Sequence, residues 1–146
     1  MVPRPITKAS PTPWSSLVLD SEGLWALARN DSKAAQVVIG ASWKAGVIVV
    51  VSAAVLAETL HGGPEDARAN QIINHISVAP VTAEVGRVAA RLRRECGLTG
   101  VASTIDAIVV ATSMSLGGGV ILTSDPLDIN RLGSVVPGLR IRAIAV

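Results

Sequence analysis

Val47-Ile48-Val49-Val50-Val51, followed at once by Ser52-Ala53-Ala54-Val55-Leu56-Ala57-Glu58, is the stretch that decides the fold. Its first five residues are an unbroken apolar, β-branched run, the composition of a strand buried on both faces, as strands of parallel sheets are. Ser52 then offers a hydroxyl to cap a helix over Ala53 to Leu60. A buried strand that hands the chain straight to a helix is half of a β-α-β unit.

The same alternation extends outward in both directions. Upstream, Leu17-Val18-Leu19 reads as a strand ending on Asp20, then a helix through Leu24, Trp25 and Leu27 that stops near Asn30, then a second helix over Lys33 to Lys44. Downstream, Pro64 is placed as the first residue of a helix running to about Ile76, and a short strand follows near Ser77 to Val81. Thr82 caps a helix to about Cys96, with Val85, Val88, Ala89 and Leu92 on one side. Ser103-Thr104-Ile105-Asp106 matches a capping box and opens a largely apolar helix through Met114 that Gly117-Gly118-Gly119 ends. Val120 to Thr123 is the fourth strand, a short helix begins within Ser124-Asp125-Pro126-Leu127-Asp128, and a last strand lies near Leu139 to Ile144. The pattern predicts an α/β fold with a mainly parallel sheet of about five strands.

A chain of 146 residues, 49% hydrophobic and 16% charged, is the size of one globular domain. Four of the eight prolines precede Trp14, so residues 1–15 read as a flexible proline-rich tail and 16–146 as the domain. No apolar run reaches the roughly 18 residues of a membrane span, and Met1 to Ser16 lacks the apolar centre of a secretory signal. The expectation is a cytoplasmic protein with no membrane partner.

Composition also removes function classes. Cys96 is the single cysteine, which excludes an internal disulfide and a multi-cysteine metal site. With no Tyr or Phe, only Trp14, Trp25 and Trp43 could stack on bases, which disfavours RRM-like and OB-like binders. Gly117 to Gly119 lie between a helix and a strand, the reverse of a phosphate loop, which follows a strand and opens a helix. His61 and His75 read as surface or capping residues, and Cys96 as an incidental thiol.

The acids carry the chemistry. Asp20 follows the first strand and Asp125 the fourth, Glu58 lies in the helix after the second strand, and Asp106 stands at the start of the apolar helix before the fourth. In an open parallel sheet the ligand crevice lies outside the carboxyl ends of the strands, so Asp20 and Asp125 share an edge that Glu58 and Asp106 can reach. Taken singly, Asp20, Asp106 and Asp125 also fit helix caps, and Glu58 fits a solvated surface position. Taken together, like charges about 4 Å apart repel by roughly 4 kcal/mol at an effective dielectric of 20, and a hard divalent cation offsets that repulsion. Mg²⁺ or Mn²⁺ takes carboxylate and water ligands and can activate water against a phosphodiester.

Four blocks, Leu17-Val18-Leu19-Asp20-Ser21, Val55-Leu56-Ala57-Glu58, Ile105-Asp106-Ala107-Ile108-Val109-Val110-Ala111 and Ile121-Leu122-Thr123-Ser124-Asp125-Pro126-Leu127-Asp128, resemble in order and spacing the acidic blocks of PIN domains, most closely VapC-type toxins of toxin–antitoxin pairs. The resemblance covers about residues 16–146 and implies a PIN-like three-layer α/β/α fold. It implies Asp20, Glu58, Asp106 and Asp125 as catalytic, metal-binding acids, Asp128 as an additional carboxylate, and Ser21 and Ser124 as hydroxyls that position them. It further implies Mg²⁺- or Mn²⁺-dependent cleavage of RNA, a homodimer, and a cognate antitoxin protein as inhibitor. Glu22, beside Asp20, and the long proline-rich tail depart from the family pattern.

Arg87, Arg91 and Arg94 recur at helical spacing opposite the apolar face. They form either a solvated face or a contact for RNA phosphates or an acidic antitoxin segment, and the same alternatives hold for Arg140 and Arg142 on the last strand. Two other functions compete with the nuclease. A strand-end aspartate phosphotransferase-like domain would want a lysine near the fourth strand, yet Lys8, Lys33 and Lys44 all lie in the first third. A catalytically silent PIN-like module would bind RNA or a partner and use the acids as caps.

Overall fold

The computed structural model describes residues 15–43, 46–136, 138 and 140–146. The proline-rich residues 1–14, Lys44 at the end of the expected second helix, and Leu139 at the start of the expected last strand lie outside these.

Five strands, β1 (Ser16–Leu19), β2 (Ile48–Ser52), β3 (Ser77–Ala79), β4 (Gly119–Thr123) and β5 (Ile141–Ala145), form one sheet in the order β3-β2-β1-β4-β5. All four pairings are parallel. Among the described residues seven α-helices accompany them: α1 (Ser21–Ala28), α2 (Ser32–Ser42), α3 (Ala53–Thr59), α4 (Ala67–Ile73), α5 (Ala83–Cys96), α6 (Ala102–Ser115) and α7 (Pro126–Ser134). Helix α1 packs on α2 and α4 over one face, while α5 and α7 flank α6 over the other, which gives the three-layer α/β/α architecture. No helix among the described residues is long and apolar enough to cross a membrane.

Every residue of β1 and β4 is buried, as expected for central strands covered on both faces. Leu17, Leu19, Ile121 and Leu122 are each fully buried, and each stabilises the fold by roughly 1.5–3 kcal/mol relative to exposure. The strand order reverses direction between β1 and β4, the point at which an open α/β sheet leaves a crevice at its carboxyl edge. Leu19 is level with Val51 on one side and Leu122 on the other. Asp20, Ser52 and Thr123 therefore leave the sheet at one edge.

Close backbone approach brings that edge together. A Cβ built on Gly23 would lie 2.5 Å from the Leu122 carbonyl oxygen, so only glycine lets the first turn of α1 seat against the end of β4. Gly117 and Gly118 lie in the expected turn, and Gly119 is already the first residue of β4. Gly118 and Gly119 have φ of +87° and +154°, and a Cβ on Gly118 would meet the Arg140 carbonyl oxygen at 2.7 Å where β4 enters the sheet.

Two local expectations are corrected. The segment opened by Pro64 is a 3-10 turn, Pro64–Asp66, followed by α4, which stops at Ile73 rather than near Ile76. The late start follows from Asp66, buried and turned back to accept the backbone N–H groups of His61 (2.9 Å) and Gly62 (2.7 Å), which closes the loop before α4 begins. The capping box at Ser103 is absent: α6 begins at Ala102, after Val101, with no side-chain cap. Ser103 Oγ instead donates to the Gly100 carbonyl oxygen at 2.6 Å and accepts from Arg93 Nε at 3.2 Å.

Candidate active site

Asp20 is the residue that ends β1 and caps α1. Its Oδ1 accepts the Gly23 N–H at 2.8 Å, and only 6% of its surface is exposed. Burial pushes its carboxyl above the usual range, hydrogen bonds from the Thr123 hydroxyl and the Gly23 N–H work against that rise, and the neighbouring Glu22 charge adds to it. Glu22 itself points outward, 3.9 Å from Arg29.

Asp106 lies in the second turn of α6, where its N–H belongs to the helix and no orphan amide is within its reach to cap. It is half-buried, and its pKa is pushed up to about 6. Burial is the largest cause, followed by the charges of Asp20, Asp125, Asp128 and Glu58. Those four residues come from the ends of β1 and β4, from α3 and from α7, so acids scattered over more than a hundred positions act electrostatically on one carboxylate. The helix-cap reading thus holds for Asp20 and fails for Asp106.

Asp125 caps α7, its Oδ1 facing the Asp128 N–H at 3.4 Å, with Pro126 at the first helical position. Asp125 and Glu58 are exposed and Asp128 is half-buried. Glu58 holds the surface position expected for it, and its charge is the last of those that act on Asp106.

The hydroxyl that orders these acids was not singled out from the sequence. Thr123, the last residue of β4 and 1% exposed, accepts the Asp125 N–H at 3.0 Å and is also the side-chain partner of the Asp20 carboxylate. Ser124, one residue on, points to solvent. Alternation along a strand puts Thr123 and Ser124 on opposite sides, and that parity is the signal that separates them. Ser21 Oγ is buried beside Asp20 with no hydrogen-bond partner among the described residues.

A mixed group at the end of α3 was also not expected. His61, Glu65 and Asp66 bring ligand atoms within 4.8 Å of one another. Here Asp66 accepts the N–H groups that close the loop, and its pKa is lowered, first by the His61 N–H. His61 Nδ1 stands 3.6 Å from Asp66, and its ring lies 6.2 Å from that of Trp25. Asp106 and the four acids around it are more widely spaced than this group. A cleft of about 960 Å³ between α2 and α4, lined by Leu27, Val38, Ile39, Ile48, Arg68 and Ile72 among others, includes none of them. Charge, not concavity, locates the candidate active site.

The donor set around Asp106 is all oxygen, held on the rigid ends of two central strands and two helices. That set fits a hard divalent cation and offers nothing to a soft one.

Comparisons with known proteins bear on this geometry. A toxin–antitoxin complex from Klebsiella pneumoniae superposes with a TM-score of 0.64 at 17% identity, over 88% of this chain and 96% of that one. VapBC2 from Rickettsia felis, bound to a DNA fragment from its promoter, gives a TM-score of 0.64 at 14% identity, over 88% of this chain and 98% of that one. FitAcB from Neisseria gonorrhoeae gives 0.59 at 15% identity, over 87% and 95%. A search of curated protein sequences returned no match. The model of the PIN domain family matches residues 17–133, from the strand that delivers Asp20 to the end of the helix that Asp125 caps, and the chain belongs to the PIN domain family.

Proposed function

We propose that the protein is a metal-dependent endoribonuclease acting as the toxin of a toxin–antitoxin pair in the cytoplasm, hydrolysing RNA phosphodiester bonds. The observation that carries this reading is the gathering of Asp20, Asp125, Asp128 and Glu58 around Asp106, whose pKa is pushed up to about 6 first by burial and then by their charges. Such a cluster is costly by itself and suited to a cation. Asp20, Glu58, Asp106 and Asp125 would hold Mg²⁺ or Mn²⁺, directly or through water, with Asp128 completing or ordering the set. When bound, the cation neutralises charge on the phosphodiester and lowers the pKa of water near it. The chain's own part is positional: α1 seats Asp20 against β4, Thr123 holds Asp20 and the Asp125 turn together, and Ser21 stands beside Asp20.

The toxin role draws support from the architecture shared with a chain of a toxin–antitoxin complex. It brings with it a cognate antitoxin as partner and a homodimer, which sedimentation at micromolar concentration tests. The catalytic reading is tested by incubating purified protein with single-stranded RNA, with Mg²⁺ or Mn²⁺ and in excess chelator. Cleavage with metal and none with chelator is expected. Cleavage that survives chelation, in a preparation free of contaminating nuclease, overturns the metal mechanism.

A further inference from the structure

The exposed face of α5 is not used by the site described above. Val85, Ala89, Leu92 and Cys96 bury one side of this helix, while Arg87, Arg91 and Arg94 are exposed on the other. None of these three guanidiniums forms an ion pair or hydrogen bond among the described residues. The ion pairs found there are Arg29 with Glu22 and His61 with Asp66. Arg93 and Arg131 are already engaged: Arg93 holds Ser103 and the Gly100 carbonyl oxygen, and Arg131 donates to the Cys96 carbonyl oxygen at 2.7 Å. These bonds tie the C-terminal turn of α5 to the start of α6 and to α7, the two helices that carry Asp106, Asp125 and Asp128. Ser103 precedes Asp106 by three residues, about one helical turn. The end of α5 at which the cationic row finishes is therefore the end tied to the helices of the acid cluster.

We propose that the Arg87-Arg91-Arg94 face of α5 is an RNA-binding track that leads the strand to the acids, a proposal that rests on the nuclease reading. Charge complementarity favours a polyanion. The remaining exposed residues of α5 are Ala83, Glu84, Ala90 and Glu95, so the face offers no large apolar side chain to anchor a protein helix, which an interface core requires. At about 100° per residue, Glu84 and Glu95 lie together on one flank of the row and leave the other open. Phosphate contacts position a strand without reading its bases, which is what a track feeding a phosphodiester centre has to do.

The experiment measures binding in chelator, so it does not depend on cleavage. Anisotropy of a fluorescein-labelled single-stranded RNA 20-mer of mixed sequence is titrated across salt concentration with the full chain, with Arg87→Gln/Arg91→Gln/Arg94→Gln, and with the corresponding triple Lys variant. The Gln variant is expected to melt as wild type does, to bind at least tenfold more weakly at low salt, and to lose up to about 2 from the log–log salt slope, at roughly 0.7 per phosphate contact on a single strand. The Lys variant is expected to keep most of that slope. An unchanged slope in the Gln variant overturns the track, as does an absence of RNA binding by wild type. Loss of binding to an acidic peptide with RNA binding intact assigns the face to a protein partner instead. An absence of RNA cleavage with Mg²⁺ or Mn²⁺ sinks the nuclease reading while leaving this binding result to stand on its own.

Discussion

The backbone N–H of Asp125 donates to Thr123 Oγ1 at 3.0 Å, and the same hydroxyl lowers the Asp20 pKa against the effect of burial. One side chain at the end of β4 thus holds the acid that leaves β1 to the turn that carries the acid after β4. Thr123→Val keeps the shape and removes both bonds. Asp125 is exposed enough for water to take up its N–H, so the expected loss of stability in urea denaturation is about 1 kcal/mol, the low end for an unpaired amide. RNA cleavage should fall much further than stability, and Thr123→Ser should restore most of both. A valine variant that cleaves at the wild-type rate would remove Thr123 from the site.

Asp106→Asn separates a charge cluster from a structural acid. Neutralising Asp106 relieves repulsion with Asp20, Asp125, Asp128 and Glu58 and removes a charge that a cation would use. In chelator the variant should melt at or above the wild-type temperature. Its upward shift on adding Mg²⁺ should shrink, because ligand binding to the folded state sets that shift, and cleavage should be lost. Melting below wild type in chelator together with full activity would show a structural role only.

Two carboxyls give opposite pH dependences. The Asp106 pKa rises from 3.8 to about 6 on folding, so between those values the folded protein binds more protons than the unfolded one and stability falls as pH rises. Chemical denaturation between pH 4 and 6.5 in chelator should show that fall, flattened in Asp106→Asn. The Asp66 pKa is lowered, chiefly by the His61 N–H. Its contribution is present above 3.8 and disappears as pH drops through the folded value, so Asp66→Asn should be destabilised at neutral pH and converge on wild type in acid.

What the sequence made legible follows from where a single physical rule dominates. Val47 to Val51 reads as a strand, and β2 occupies Ile48–Ser52, but burial holds only from Val50 on: Ile48 is 44% exposed and Val49 half-buried. Ser52 caps α3 through the Ala54 N–H at 3.2 Å, and Thr82 caps α5 through the Val85 N–H at 3.1 Å, because nothing else competes for those hydroxyls. Ser103 fails as a cap because its competitors, the Gly100 carbonyl and Arg93, are brought in by the turn between α5 and α6. Asp66 delays the start of α4 because its carboxylate closes a loop ahead of it. Asp106 looked like a cap for the same reason that Ser103 did, and its contact with four distant carboxylates exists only once the sheet order brings β1 beside β4. Loop contacts within about ten residues decided Ser103 and Asp66, partners distant in sequence decided Asp106, and helical spacing displays neither.

Gly23 and Gly40 provide a matched test of how α1 sets the site. Both are helical glycines, in α1 and α2, and alanine is intrinsically favoured over glycine in a helix by roughly 0.5–1 kcal/mol. Around Gly40 a Cβ meets nothing within 4 Å, so Gly40→Ala should stabilise the protein by about that amount. At Gly23 the added carbon would stand 2.5 Å from the Leu122 carbonyl oxygen and 3.3 Å from the Leu122 Cβ. Neither is a flexible end that can swing away, so α1 must lift from β4, and overpacking of this kind costs typically 1–3 kcal/mol. Because the Gly23 N–H is also the donor to Asp20 Oδ1 at 2.8 Å, the same displacement moves the carboxylate. Gly23→Ala should therefore lower the melting temperature, shrink the Mg²⁺-induced shift and reduce cleavage beyond what the loss of folded protein explains. Equal stability and equal activity in both alanine variants would show that the approach of α1 to β4 does not set the position of Asp20.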